Sequence, residues 1–217
     1  MPFSPQTICD VTIDVSHHQG NIDWGRVGAA GKRVAMIKAT QGSHGIDPMW
    51  KTNAASAREA GILVIPYVFL TPDDAASQAT LLEHVAQLAS GLPAAIDWEG
   101  QPRSTATPQQ VEAIGLAIRD LTRRDPLGYW GLFPPGTPTA VMKRWPRWIP
   151  RYGVNNGSPD HHHEPTEPWL FWQYTSNQEI DGISGTVDAS LFAGSEAELK
   201  AWCQTGALPA ALTAAII

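Results

Sequence analysis

The chain has 217 residues, 43% hydrophobic and 17% charged, a balance that permits a real core and excludes a charge-rich disordered chain. Its length suits one α/β barrel of roughly 200 to 250 residues. A net charge of −6, with no lysine or arginine stripe, excludes the basic surface that nucleic acid requires.

The N-terminal Met1-Pro2-Phe3-Ser4-Pro5-Gln6 has neither the basic start nor the apolar stretch of a secretory signal peptide. Residues 11–15 and 34–37 read as short buried strands, each ending in polar residues. Residues 48–60 read as a helix stopped by Gly61, and residues 62–69 as the next strand, so the order is β, α, β. Thr71-Pro72-Asp73-Asp74 offers an N-cap, a proline at the first helical position and an acid at the third. Leu81, Leu82, Val85, Leu88 and Ala89 then carry a helix along one face to Gly91. The apolar run 92–96 reads as a strand ending in Asp97-Trp98-Glu99-Gly100.

Thr107-Pro108-Gln109-Gln110 opens another capped helix, with Val111, Ile114, Ile118 and Leu121 on one stripe. Residues 127–133, 148–152, 170–174 and 183–187 read as later strands with less helix between them. Residues 207–217 are apolar, too short to cross a bilayer, and hold Pro209, so they read as a packed or frayed tail and no membrane partner is expected. The alternation predicts an α/β fold with a largely parallel sheet and functional groups at the carboxyl ends of its strands. With no internal repeat or linker, residues 1–205 read as one barrel domain followed by the 206–217 tail, and with no exposed apolar stripe the chain reads as a monomer.

In a strand, residues i and i+2 point to one side, so Asp97 and Glu99 project together while Trp98 turns away. Paired carboxylates are the apparatus for cleaving a glycosidic bond, one donating a proton and the other stabilising positive charge at the sugar carbon; the bland alternative is two solvated acids in a loop. Asp14 and Asp188 fall at other predicted strand ends, so four carboxylates converge on one rim, where mutual repulsion raises at least one pKa. Tyr67, Tyr129, Trp148, Tyr152, Gln173 and Tyr174 also fall at strand ends, where each either contacts a sugar or fills the core; the nine tryptophans admit the same two readings. Cys9 and Cys203 either close the barrel covalently or are two plain thiols. Asp160-His161-His162-His163-Glu164 carries metal-ligand residue types, but adjacent residues seldom coordinate together, so no metal and no cofactor are expected.

The chain resembles the family 25 glycoside hydrolases, the muramidases of the Chalaropsis type. The matching stretches are Ile13-Asp14-Val15-Ser16-His17-His18-Gln19-Gly20, Ile22-Asp23-Trp24, Ile37-Lys38-Ala39-Thr40-Gln41-Gly42 and Asp97-Trp98-Glu99, then Trp172-Gln173-Tyr174-Thr175-Ser176, Ile183-Ser184-Gly185 and Val187-Asp188. The resemblance implies an irregular, flattened TIM-like β/α barrel that hydrolyses the β-1,4 bond between N-acetylmuramic acid and N-acetylglucosamine in peptidoglycan, with retention. It implies Glu99 as general acid/base and Asp97 as its partner, acting on the substrate's acetamido group or as nucleophile. Asp14 and Asp188 match outer acids of the cleft, and Tyr67 matches a tyrosine near the reacting sugar. Val68 and Gln41 depart from the family's usual His and Glu at the rim, residues 129–138 leave the usual strand pattern, and residues 160–164 form a private loop.

The leading expectation is a lysozyme without a wall-binding module, made in the host cytoplasm and released to the cell wall as a phage endolysin. A bacterial autolysin or effector would carry the same residues. The competing expectations are a catalytically silent glycan-binding barrel and a chitinase or N-acetylglucosaminidase specificity.

Overall fold

The computed structural model describes residues 3–100 and 105–216. Met1 and Pro2 of the N-terminal stretch and Ile217 of the tail lie outside them. Among the described residues nine strands form one sheet: β1 (Cys9–Val15), β2 (Val34–Gln41), β3 (Gly45–Ile46), β4 (Leu63–Phe69), β5 (Ala95–Asp97), β6 (Leu127–Tyr129), β7 (Arg147–Pro150), β8 (Phe171–Glu179) and β9 (Thr186–Phe192). Because β1 bonds to both β2 and β9, eight strands close into a barrel, and β3 is a hairpin extension of β2. The helices are α1 (Trp24–Ala29), α2 (Trp50–Glu59), α3 (Ala75–Ala86), α4 (Pro108–Thr122), α5 (Glu196–Thr205) and α6 (Ala210–Ile216). The fold is therefore the single-domain α/β barrel that the alternation implied.

The pleat of each strand separates two apolar layers. Val34 and Met36 of β2, Ile65 and Tyr67 of β4, Ala95 of β5, Leu127 and Tyr129 of β6, and Trp148 of β7 share the cluster inside the barrel. Their neighbours Ala35, Ile37, Val68, Ile96 and Trp98 pack outward with the helical residues Val27, Ala54, Leu82, Ile114 and Ile118. This alternation sets the chemistry of β5: Ala95 and Asp97 face inward, and Trp98 turns out to donate Nε1–H to the Ala106 carbonyl at 2.8 Å.

Several boundaries differ from the sequence reading, each for a local reason. The third helix is capped by Asp74, which accepts from Ser77 N, and not by Thr71. Thr71 instead binds the Gln78 amide through both its N–H and C=O, so the Pro72 stretch is a loop folded over the first turn. The helix stops at Gln87, which takes a left-handed conformation. Leu92 is exposed, and β5 begins only at Ala95. The strand expected over 127–133 ends at Tyr129. The last strand starts at Thr186 and runs to Phe192, antiparallel to both β8 and β1. Cys9 and Cys203 are free thiols, so nothing covalent closes the barrel.

Candidate active site

The inward residues at one end of the barrel form a layered polar floor. Trp148 is buried, lies edge-on to Tyr129 and Tyr67 with ring centroids 4.4 and 6.3 Å away, and donates Nε1–H to Ser190 Oγ at 3.0 Å. It therefore supports the tyrosines from below and offers no face to a ligand. Tyr129 and the exposed Tyr152 both donate their hydroxyls to Gln173 Oε1, at 2.8 and 2.6 Å. Two donors on one amide oxygen fix the side chain, so Nε2 is left to donate to Asp14 Oδ2 at 2.9 Å.

Asp14 and Asp188 are direct partners across the β1–β9 ladder. Asp188 reaches the rim because β9 runs backwards: its third residue lies level with the carboxyl ends of the parallel strands. The Asp14 carboxyl is held well above the usual range, first by burial and then by the Asp188 charge, against the opposing Gln173 hydrogen bond. Asp188 is raised as well, by burial first, while its hydrogen bond with Asp14 holds it down. Their mutual hydrogen bond raises Asp14 and lowers Asp188, so it favours the proton on Asp14 over Asp188.

The second pair is Asp97 and Glu99. Asp97 is buried and Glu99 half-buried, and the two carboxyls hydrogen-bond to each other. Burial pushes Asp97 well above the usual carboxylate range; the Glu99 charge and hydrogen bond push it further, and the Lys38 ammonium opposes them. One oxygen of Asp97, Oδ1, is buried without a hydrogen-bond partner. A buried acceptor left open in a polar cleft is costly unless a bound group supplies the missing donor. Burial and the surrounding carboxylates also hold Tyr67 and Tyr129 well above the usual phenol range, so both are neutral donors.

Lys38 joins this group although the sequence reading gave it no role. It follows Val34 and Met36 on the inward alternation of β2, the pattern that should have flagged it. Its Nζ lies 4.8 Å over the Phe69 ring and donates to Gln41 Oε1 at 2.7 Å, which gives exposed Gln41 its place at the rim. Burial lowers the Lys38 pKa, while Asp97, Asp47 and Glu99 hold it up. Asp47 was also missed. It is buried and accepts from His17 N, His17 Nδ1 and Met49 N at 3.0, 2.8 and 2.9 Å, which ties the loop after β1 to the loop before α2.

Two groups fall outside the cleft. Tyr174 points to the outer face and donates its hydroxyl to Asp10 Oδ2 at 2.8 Å, so it is no sugar contact. In the private loop, His161 pairs with Glu164 and His163 with Asp160, each imidazole turned to a different acid.

The floor and both pairs can transfer a proton to a leaving oxygen beside a stabilised cation. The sequence profile described as Glycosyl hydrolases family 25 matches residues 13–183. Lysozyme M1 of Streptomyces globisporus is 32% identical over 213 residues, covering 87% of this chain and 69% of that protein. An autolytic lysozyme of Clostridium acetobutylicum is 29% identical, over 83% of this chain and 55% of its own length. The crystal structure of a bacterial lysozyme from Streptomyces coelicolor superposes with a TM-score of 0.72 at 28% identity, covering 89% of this chain and 96% of that one.

Proposed function

The chain belongs to glycosyl hydrolases family 25 and is a glycoside hydrolase of the lysozyme type, and on that premise we propose that it cleaves the β-1,4 bond between N-acetylmuramic acid and N-acetylglucosamine in peptidoglycan with retention. The observation that carries this reading is the Asp97–Glu99 pair, a buried carboxyl beside a half-buried one at the mouth of an acidic barrel.

In this reading Glu99, the more exposed of the two, donates its proton to the leaving glycosidic oxygen. The substrate's own acetamido oxygen then attacks the sugar carbon, and Asp97 accepts the acetamido N–H, supplying the partner that Oδ1 lacks. Glu99, now ionised, takes a proton from water as that water opens the cyclic intermediate, restoring the acetamide. A directly bonded mechanism requires two carboxyls about 5 Å apart on opposite sides of the reacting carbon. The open acceptor on Asp97, suited to the acetamido N–H that the substrate carries next to the reacting carbon, favours the acetamido route. Asp14 and Asp188 keep negative charge near the developing cation, and Gln173 with Tyr129 and Tyr152 orients them.

Replacing Glu99→Gln should lower peptidoglycan solubilisation by roughly 10²- to 10⁴-fold, the usual worth of a positioned acid, and muramic acid should be the new reducing end. Equal activity in both proteins removes the assignment, and N-acetylglucosamine reducing ends move it to the glucosaminidase class. A glycosyl adduct trapped on Asp97 in mass spectra rules out the acetamido route.

Among the described residues no helix is long and apolar enough to cross a membrane. The reading extends to a monomer that reaches the wall as an endolysin. Expression with and without a membrane-permeabilising protein tests delivery, with lysis expected only when the membrane is breached, and sedimentation tests the monomer.

A further inference from the structure

We propose that the loop after β6, residues 130–136, builds a stacking platform for the single sugar on the leaving side of the bond that is cut, with Phe133 as the contact face; the inference rests on the muramidase reading above. A pocket of about 200 Å³ opens directly beside Glu99 and is walled by Trp98, Tyr129, Phe133, Pro135 and Pro150. It touches Glu99 but not Asp14, Asp97 or Asp188. The reacting sugar has to sit over Asp97 and the outer acids. A cavity that meets the proton donor alone therefore lies across the scissile oxygen, where the leaving N-acetylglucosamine stands. Its volume is below the roughly 300 Å³ at which drug-sized pockets begin, which limits it to one ring.

The wall is built to hold its shape. Pro134 and Pro135 fix two successive backbone torsions. Pro135 lies beside Gly100, where a Cβ would make ordinary contact with Pro135 Cγ at 3.6 Å. Gly136 lets the loop settle on the start of α4, where a Cβ would come within 2.9 Å of Pro108 Cγ. On this fixed loop Phe133 is 96% exposed, by far the most exposed large apolar side chain among the described residues. An aromatic ring offered to water at the edge of a carbohydrate cleft is suited to the apolar C–H face of a pyranose.

The test compares wild type with Phe133→Ala and Phe133→Tyr on glycan strands with and without their peptide stems, reading kcat and KM separately. Phe133→Ala should raise KM roughly three- to tenfold on both substrates, the scale of one lost aromatic contact, with kcat within about twofold and the melting temperature unchanged. Phe133→Tyr should restore KM. In wild type, methyl β-N-acetylglucosaminide should shift the Phe133 ring resonances. An unchanged KM in Phe133→Ala, or a dependence confined to peptide-bearing strands, overturns the platform. A wild-type protein that produces no muramic acid reducing ends overturns the muramidase reading instead, so the two failures are distinct.

Discussion

Burial raises the Asp97 pKa, and its charged neighbours act on it in opposite directions: Glu99 favours the neutral form and Lys38 the ionised form. Removing Lys38 therefore raises the Asp97 pKa further. Lys38→Met should move the acidic limb of the kcat/KM profile to higher pH, because Asp97, which must be ionised to accept the acetamido N–H, then loses its proton later; a limb that stays or falls would show that Lys38 does not act on Asp97. Gln173 holds the other half of the floor. Gln173→Leu strands the buried Tyr129 hydroxyl and one Asp14 oxygen, and at about 1–3 kcal/mol for each unpaired buried group it should lower stability by about 3 kcal/mol in urea titration. The acids of this site were legible from the sequence because a strand's two-residue period places them. Lys38 obeys the same period, but a lysine is normally assigned to water, and its motif neighbours drew attention away from it. Tyr174 followed the opposite course: it sits at a strand end, yet one residue out of phase with Gln173, and the pleat turns it outward.

At the scale of elements, legibility depended on how many independent signals agreed. Helix α4 was readable because the Thr107–Gln110 capping box, Pro108 and a continuous apolar stripe all point to one start. Helix α3 pointed to Thr71 as its cap, but the side chain of Gln78 bonds back to the Thr71 backbone and the cap falls to Asp74. Helix α1, with six residues, gives too short a stripe to detect. Helix α5 did carry a capping box, Ser195 with Glu198, ahead of the buried Leu199, Trp202 and Cys203. The direction of β9 had no local signal, since an antiparallel strand and a parallel one share the same alternation. Packing between elements also overrides intrinsic preference at Gly115, in the middle of α4. Alanine there gains up to about 1 kcal/mol of helix propensity. Its Cβ would nevertheless fall 2.2 Å from Trp145 Cη2, a clash with a buried ring. Gly115→Ala should therefore destabilise by about 1–3 kcal/mol, the usual cost of overpacking, as the urea midpoint would register; a gain in stability would mean that Trp145 gives way freely.

For the whole molecule, closure rests on the β1–β2 and β1–β9 ladders and not on a covalent link, and burial pushes both free thiols up to about 12. Reductant should accordingly leave the melting temperature unchanged. What closure does impose is a cost, because it buries Asp14, Asp97 and, in part, Asp188 inside one barrel. All three carboxyls are raised in the native state relative to the unfolded chain. Between the unfolded pKa, about 4, and the raised native value, the folded protein binds more protons than the unfolded one, so stability falls as pH rises. The contribution is fully present below about pH 4 and is lost as pH climbs through the native pKa of each acid. Asp14→Asn removes one of these groups while an amide still fits between Gln173 and Asp188. The variant should therefore show a flatter stability profile, with its melting temperature gaining on wild type as the buffer moves from about pH 4 towards neutral and beyond, while activity drops because the cleft has lost an acid. A difference between the two proteins that is constant with pH would mean that Asp14 stays neutral throughout and that its burial places no pH-dependent load on the barrel.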